Sequence, residues 1–154
     1  MIASGCNRQM TFEEFKDIVA ERKRSMPSRF ALESDAPASS EMISKAEEGL
    51  NATLPPKFKA FLSEFGGGDF GTLSIFSVDP NGYSHIVARN RDPLIADHKP
   101  NNFIVISDDS AGGFHGFRVI EGVGQEQVDY WDWESGEFLS SYDDVFEFIA
   151  EMSC

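Results

Sequence analysis

The chain has 154 residues and a net charge of −13, with 14 Phe, three Tyr and two Trp to build a core. That length suits one domain, taken as 1–154, which buries roughly 68–70% of its unfolded surface without needing a staple. No stretch approaches the roughly 20 apolar residues of a membrane span, and an acidic field of this size repels nucleic acid and anionic membrane surfaces while attracting basic proteins.

Cys6 and Cys154 stand at opposite ends of the sequence and make no disulfide framework, which favours a reducing cytosol. Ala3-Ser4-Gly5-Cys6 looks like a lipoprotein cleavage box, but no charged and apolar leader precedes it, and Met10 is an alternative start to Met1. Thr11-Phe12-Glu13-Glu14 spells a capping box, and Phe12, Phe15 and Val19 then mark one face of a helix running to about Arg24. Residues 26–39, with Pro27, Pro37 and several Ser and Ala, read as a loop. A second helix begins near Ser40, its face set by Ile43, Ala46 and Leu50.

A third helix follows Pro55-Pro56, with Phe58, Phe61, Leu62 and Phe65 spaced i, i+3, i+4, i+7. Just after it, Gly66, Gly68 and Gly71 spell G-x-G-x-x-G, and Asp69-Phe70-Gly71 spells D-F-G. The dinucleotide fingerprint needs a strand before the glycines and a helix after them. Here the order is reversed, so phosphate would meet carbonyls at the negative end of a helix. The chain has no H-R-D or V-A-I-K motif to support a kinase reading. These glycines are a helix stop leading into a strand.

Beyond Gly71 the hydrophobic period shortens towards two. Strands are expected at 72–78, 103–107, 114–119, 127–133 and 137–141, with a short helix over Ser84–Arg91 stopped by Pro93 at the latest. Asp108–Gly113 and Glu134-Ser135-Gly136-Glu137 carry hairpin-turn chemistry. A closing helix over 143–152 presents Val145, Phe146 and Ile149 to the core, with Asp143 and Asp144 in its dipole-favoured first turn. N-terminal helices, a mostly antiparallel sheet of about five strands and a closing C-terminal helix make an α+β fold. The single Trp131-Asp132 pair excludes a propeller.

Catalytic and metal chemistry find little support. His85, His98 and His115 lie 13 and 17 residues apart, without the local spacing of a zinc site, and no metal or cofactor is expected. Asp108–Gly113 lacks the alternating ligands and closing Glu of a calcium loop. No G-x-S-x-G elbow is present, so a small hydrolase is the weakest of three functional readings.

The last quarter of the chain is more informative. Residues 119–154 hold ten acids and no Lys or Arg, whereas residues 1–30 hold six bases and four acids. The block serves either solubility or contact with a basic partner. Within it, strand alternation in Val128-Asp129-Tyr130-Trp131-Asp132-Trp133 puts Asp129, Trp131 and Trp133 on one side and Val128, Tyr130 and Asp132 on the other. Both faces mix aromatic with acid, a composition shared by core packing and by contact surfaces.

Ile43-x-x-Ala46-Glu47-x-x-Leu50 followed by Leu54-Pro55-Pro56-x-Phe58-x-x-Phe61-Leu62-x-x-Phe65-Gly66-Gly67 resembles the signature of the SUKH superfamily (Smi/Knr-like proteins). Ile104–Asp108 with Gly112-Gly113, the Val128–Glu134 strand and the Asp144-x-Phe146-x-x-Phe148-Ile149 helix are similar to later family elements, so the resemblance covers about 40–152. Phe58 stands where the family often has Tyr, which leaves any role of that hydroxyl unfilled. The resemblance implies a non-catalytic, cytoplasmic α+β domain. Most bacterial members look like immunity proteins that neutralise a toxin encoded nearby, and eukaryotic relatives are regulatory interaction proteins. The expected partner is a cognate toxin domain of basic character, such as a nuclease, met by a protein that is monomeric when free. The expected contact set is Asp129, Trp131, Asp132, Trp133, Glu134 and Glu137, with Asp108 and Asp109 beside it.

Overall fold

The protein is described by a computed structural model covering residues 9–30 and 34–152; Met1, Cys6 and Cys154 lie outside the described residues. Helix α1 (Phe12–Ser25) opens on the expected capping box: Glu14 N–H donates to Thr11 Oγ1 at 3.1 Å, and Thr11 N–H donates to Glu14 Oε1 at 3.0 Å. It buries Phe15 and Val19. Among its described residues, the segment read as a loop contains a 3₁₀ turn, Pro27–Phe30, whose Phe30 packs edge-on against Phe70 at 5.5 Å.

Helix α2 (Ser40–Leu50) is capped by Ser39 and buries Ile43 and Ala46. Helix α3 (Pro56–Phe65) puts Phe58, Phe61 and Leu62 wholly inside. It ends at Gly66 with φ +86, where a Cβ would lie 2.1 Å from the Asp35 carbonyl oxygen. Of the glycine triad, Gly66 is therefore a left-handed helix stop in a crowded place, while Gly68 opens β1 and Gly71 turns the chain after it.

The sheet architecture refines the expected five strands. Among the described residues there are two antiparallel sheets. One is a hairpin of β1 (Gly68–Phe70) and β2 (Leu73–Ile75). The other has four strands, β3 (Phe103–Asp108), β4 (Gly113–Ile120), β5 (Val123–Asp132) and β6 (Glu137–Tyr142), in chain order. The expected strand 72–78 is thus split. Its first half pairs backwards with β1, and Phe76 N–H donates to the Ile106 carbonyl at 2.8 Å. A bulge in β3 frees that carbonyl: Val105 faces Gly116 and Ser107 faces His115, leaving Ile106 without a ladder partner on β4.

Pro93 ends α4 (Ile86–Arg91) and also begins α5 (Pro93–Ala96). Asp92 caps the new turn by accepting from Leu94 N–H at 3.0 Å, and proline at a first helical position loses nothing. Helix α6 (Val145–Met152) lies between α1 and the sheet. Phe146 stacks on Phe15 at 4.8 Å on one side, while Phe148 meets His115 at 4.5 Å on the other. Asp144 caps it from inside the protein, accepting from Glu147 N–H at 2.9 Å and pairing with Lys57 at 2.7 Å. The result is an α+β fold closed by a C-terminal helix packed against α1, α3 and the sheet.

Candidate functional site

Two hairpin turns meet at one end of the four-stranded sheet. The β3–β4 turn is held by its own acids. Asp108 Oδ1 accepts from Ser110 N–H at 2.8 Å, and Asp109 Oδ1 accepts from Ala111 and Gly113 N–H at 2.8 and 3.0 Å. The β5–β6 turn is held by Asp132, whose Oδ2 accepts from Ser135 N–H at 3.2 Å and whose carbonyl accepts from Gly136 N–H at 2.8 Å. Trp133 N–H donates to the Gly112 carbonyl at 3.1 Å and ties the turns together. The register agrees, with Gly113 opposite Asp132 and Asp132 opposite Glu137.

Asp108, Asp109, Asp132, Trp133, Glu134 and Glu137 therefore share one end of the sheet. Glu134 and Glu137 are exposed, and Asp132 is half-buried. Asp129 stands apart from them. It is buried, opposite Gly116, and accepts from Arg118 Nε at 3.0 Å and Gln127 Nε2 at 2.7 Å. Its carboxylate is spent inside the protein.

Both indoles pack while keeping part of their surface in solvent. The Trp131 indole Nε1–H donates to the His98 carbonyl at 2.8 Å, and its ring meets Phe138 edge-on at 4.9 Å. Trp133 meets the His98 ring at 3.9 Å and Phe114 at 5.7 Å. Gly112 makes room for it, since its φ is +98 and a Cβ there would lie 2.3 Å from Trp133 Nε1. Alternation thus places Asp129 and Trp131 on one face, as expected, whereas the opposite face carries Val128 and Tyr130 towards α6.

Tyr130 joins the site to the core, which sequence alone did not reveal. Its hydroxyl donates to Asp109 Oδ2 at 2.5 Å. That hydrogen bond, with burial and the charges of Asp109, Asp132 and Asp108, pushes the phenol up to about 12. Burial works to raise Asp109, but the bonds from Tyr130, Ala111 and Gly113 outweigh it and hold the carboxyl below its ordinary value. His115, beneath Tyr130 at 4.7 Å, is lowered by burial to about 4, so its imidazole is neutral at pH 7 despite the nearby Asp109. Two aromatics separated by fifteen positions gave no local signal of this contact.

The remaining acids of the block sort cleanly. Asp129 and Asp144, its two buried members, are each neutralised by a base from elsewhere in the chain, Arg118 and Lys57. Glu121, Glu126, Asp132, Glu134, Glu137, Asp143 and Glu147 make no ion pair among the described residues. Only Asp132, Glu134 and Glu137 of these stand at the site, the turn end of the sheet, where they offer carboxylate oxygens beside the Trp133 indole to a cationic surface.

Its turn acids are already committed to backbone donors. Among the described residues, no group of three or more His, Cys, Asp or Glu is arranged to hold a metal, and no helix is long and apolar enough to cross a membrane. A cleft of about 430 Å³ lies between α2 and the β4–β5 turn, away from this end. Its Glu47 already accepts from Leu54 N–H at 2.8 Å and pairs with Lys59 at 3.1 Å.

A family model described as SUKH_6, SMI1-KNR4 cell-wall, matches residues 40–149. No curated protein matches the chain. The matched span begins at α2 and ends within α6, so it takes in both turns and every expected contact residue.

Proposed function

This chain belongs to the SUKH_6 group of the SMI1-KNR4 family, and from that premise we propose that it is an immunity protein. In this reading it binds and neutralises a bacterial toxin domain of basic character through the acidic end of its sheet. It acts in the cytoplasm, as a monomer when free, and without catalysis. The observation that supports this most is the sorting of the base-free block: its buried acids are each paired, whereas Glu134 and Glu137 at the turn end of the sheet are exposed and make no ion pair among the described residues. Unpaired acids on one surface raise association rates with a cationic partner and make binding salt-dependent. A nuclease is a suitable target, because such a toxin needs a basic groove for phosphates.

Calorimetric titration against the C-terminal domain encoded beside this gene tests the reading at low and moderate salt. Nanomolar binding that weakens with salt is expected. No binding at either salt ends the reading. The family's cell-wall description supports a second one, a regulatory scaffold without a toxin, and the same titration separates the two.

A further inference from the structure

The outer edge of the four-stranded sheet is β6, which among the described residues forms a ladder with β5 alone. Residues Glu137–Ser141 are all exposed along it. A bare edge invites strand addition, and proteins usually block one with lysine, proline or an inward charge. This strand, EFLSSY, has no lysine and no proline. It does contain a bulge: Tyr130 faces Ser140 and Trp131 faces Phe138, so Leu139 has no ladder partner. A bulge used only for blunting would best carry a charge. Here it carries leucine, 57% exposed, next to Phe138 at 36%.

The charges around the edge decide who can occupy it. Glu137 begins the strand and Asp143, exposed, follows its end, while the cation over the strand, Arg118 at 4.0 Å from the Phe138 ring, is already paired with Asp129. A second copy pairing antiparallel on this edge would bring Glu137 of each chain towards Asp143 of the other, between molecules of net charge −13. Like charges directly opposed across strands are destabilising. A segment with lysine or arginine near both ends meets the same acids favourably.

We propose that β6 receives an extended basic segment of the partner as a fifth strand, with Leu139 and Phe138 contacting its apolar side chains. Main-chain hydrogen bonds along the edge supply affinity, and Glu137 and Asp143 select cationic flanks. This rests on the immunity reading and assigns its mode of contact.

The test uses the full chain and the neighbouring toxin domain, with amide exchange read residue by residue and affinity measured for Leu139→Lys. Position 139 is exposed and unpaired, so the variant keeps the fold, which circular dichroism verifies. Strand addition protects alternate amides of 137–142 on binding and makes Leu139→Lys bind at least tenfold more weakly. Tight binding with β6 amides unchanged and Leu139→Lys at wild-type affinity overturns the proposal while leaving the immunity reading standing. Loss of all binding removes both. A free chain that sediments as a dimer with β6 already protected assigns the edge to a second copy and also overturns it.

Discussion

Asp129 and the exposed pair Glu134 and Glu137 carry the same charge but do different jobs, and substitution separates them. The Asp129 carboxylate is 2% exposed and accepts charge-assisted bonds from Arg118 at 3.0 Å and Gln127 at 2.7 Å. Each bond to a charged group contributes about 1.5–3 kcal/mol, but Arg118 is half-exposed, with its guanidinium 4.0 Å over Phe138, and rehydrates readily. The discounted cost of Asp129→Ala is about 2 kcal/mol. For a chain of this size that lowers Tm by roughly 4–8 °C. Glu134→Lys/Glu137→Lys touches no internal partner among the described residues, so it should leave Tm within about 2 °C, as surface changes do. The same double change reverses two charges at the proposed contact and should weaken toxin binding about tenfold at low salt. Thermal unfolding by circular dichroism, beside titration of each variant, reads both effects. If Asp129→Ala unfolds like the parent, or the double variant loses as much stability, the division into structural and contact acids is wrong.

Other consequences are equally direct. Gly112→Ala forces a Cβ against the Trp133 indole at a φ of +98, so it should cost more than about 1 kcal/mol and shift tryptophan emission; an unchanged spectrum contradicts the packing. Lys23 lies over the rings of Phe30, Phe65 and Phe70 at 5.5–5.9 Å, so Lys23→Met should lose about 0.5–1 kcal/mol in urea unfolding, and a gain would refute the cation–π contact. The folded His115 titrates near 4 against about 6.5 unfolded, so its contribution to stability is full above pH 6.5 and is lost as pH falls towards 4. A His115 imidazole resonance titrating near 6.5 would contradict its burial. Tyr130 has the opposite sign. Its folded pKa is raised to about 12, so its contribution is full below about 10 and fades as pH rises through 12, a slope that Tyr130→Phe should remove.

Much of the helical part of the fold was legible because its signals are local. A capping box spans four residues, an apolar face repeats within a turn, and a glycine after Phe65 stops a helix by its own backbone freedom. The closing helix, the two hairpin turns and the reversed order of helix and glycines could be read the same way. Strand 72–78 could not, because the split depends on a bulge at Ile106, some thirty residues on.

The sequence by itself determined that this chain is an acidic α+β protein of the SUKH kind, since local periodicity, turn chemistry and the order of motifs suffice for that. Only the tertiary structure decided which acids are spent and which are offered. Arg118 and Lys57 come from other elements to neutralise Asp129 and Asp144, and Tyr130 reaches across the sheet to Asp109. Pairing of this kind is set by strand register and helix packing, which act between residues that periodicity never compares. The open edge of β6 has the same origin, for a strand's place in a sheet belongs to its neighbours.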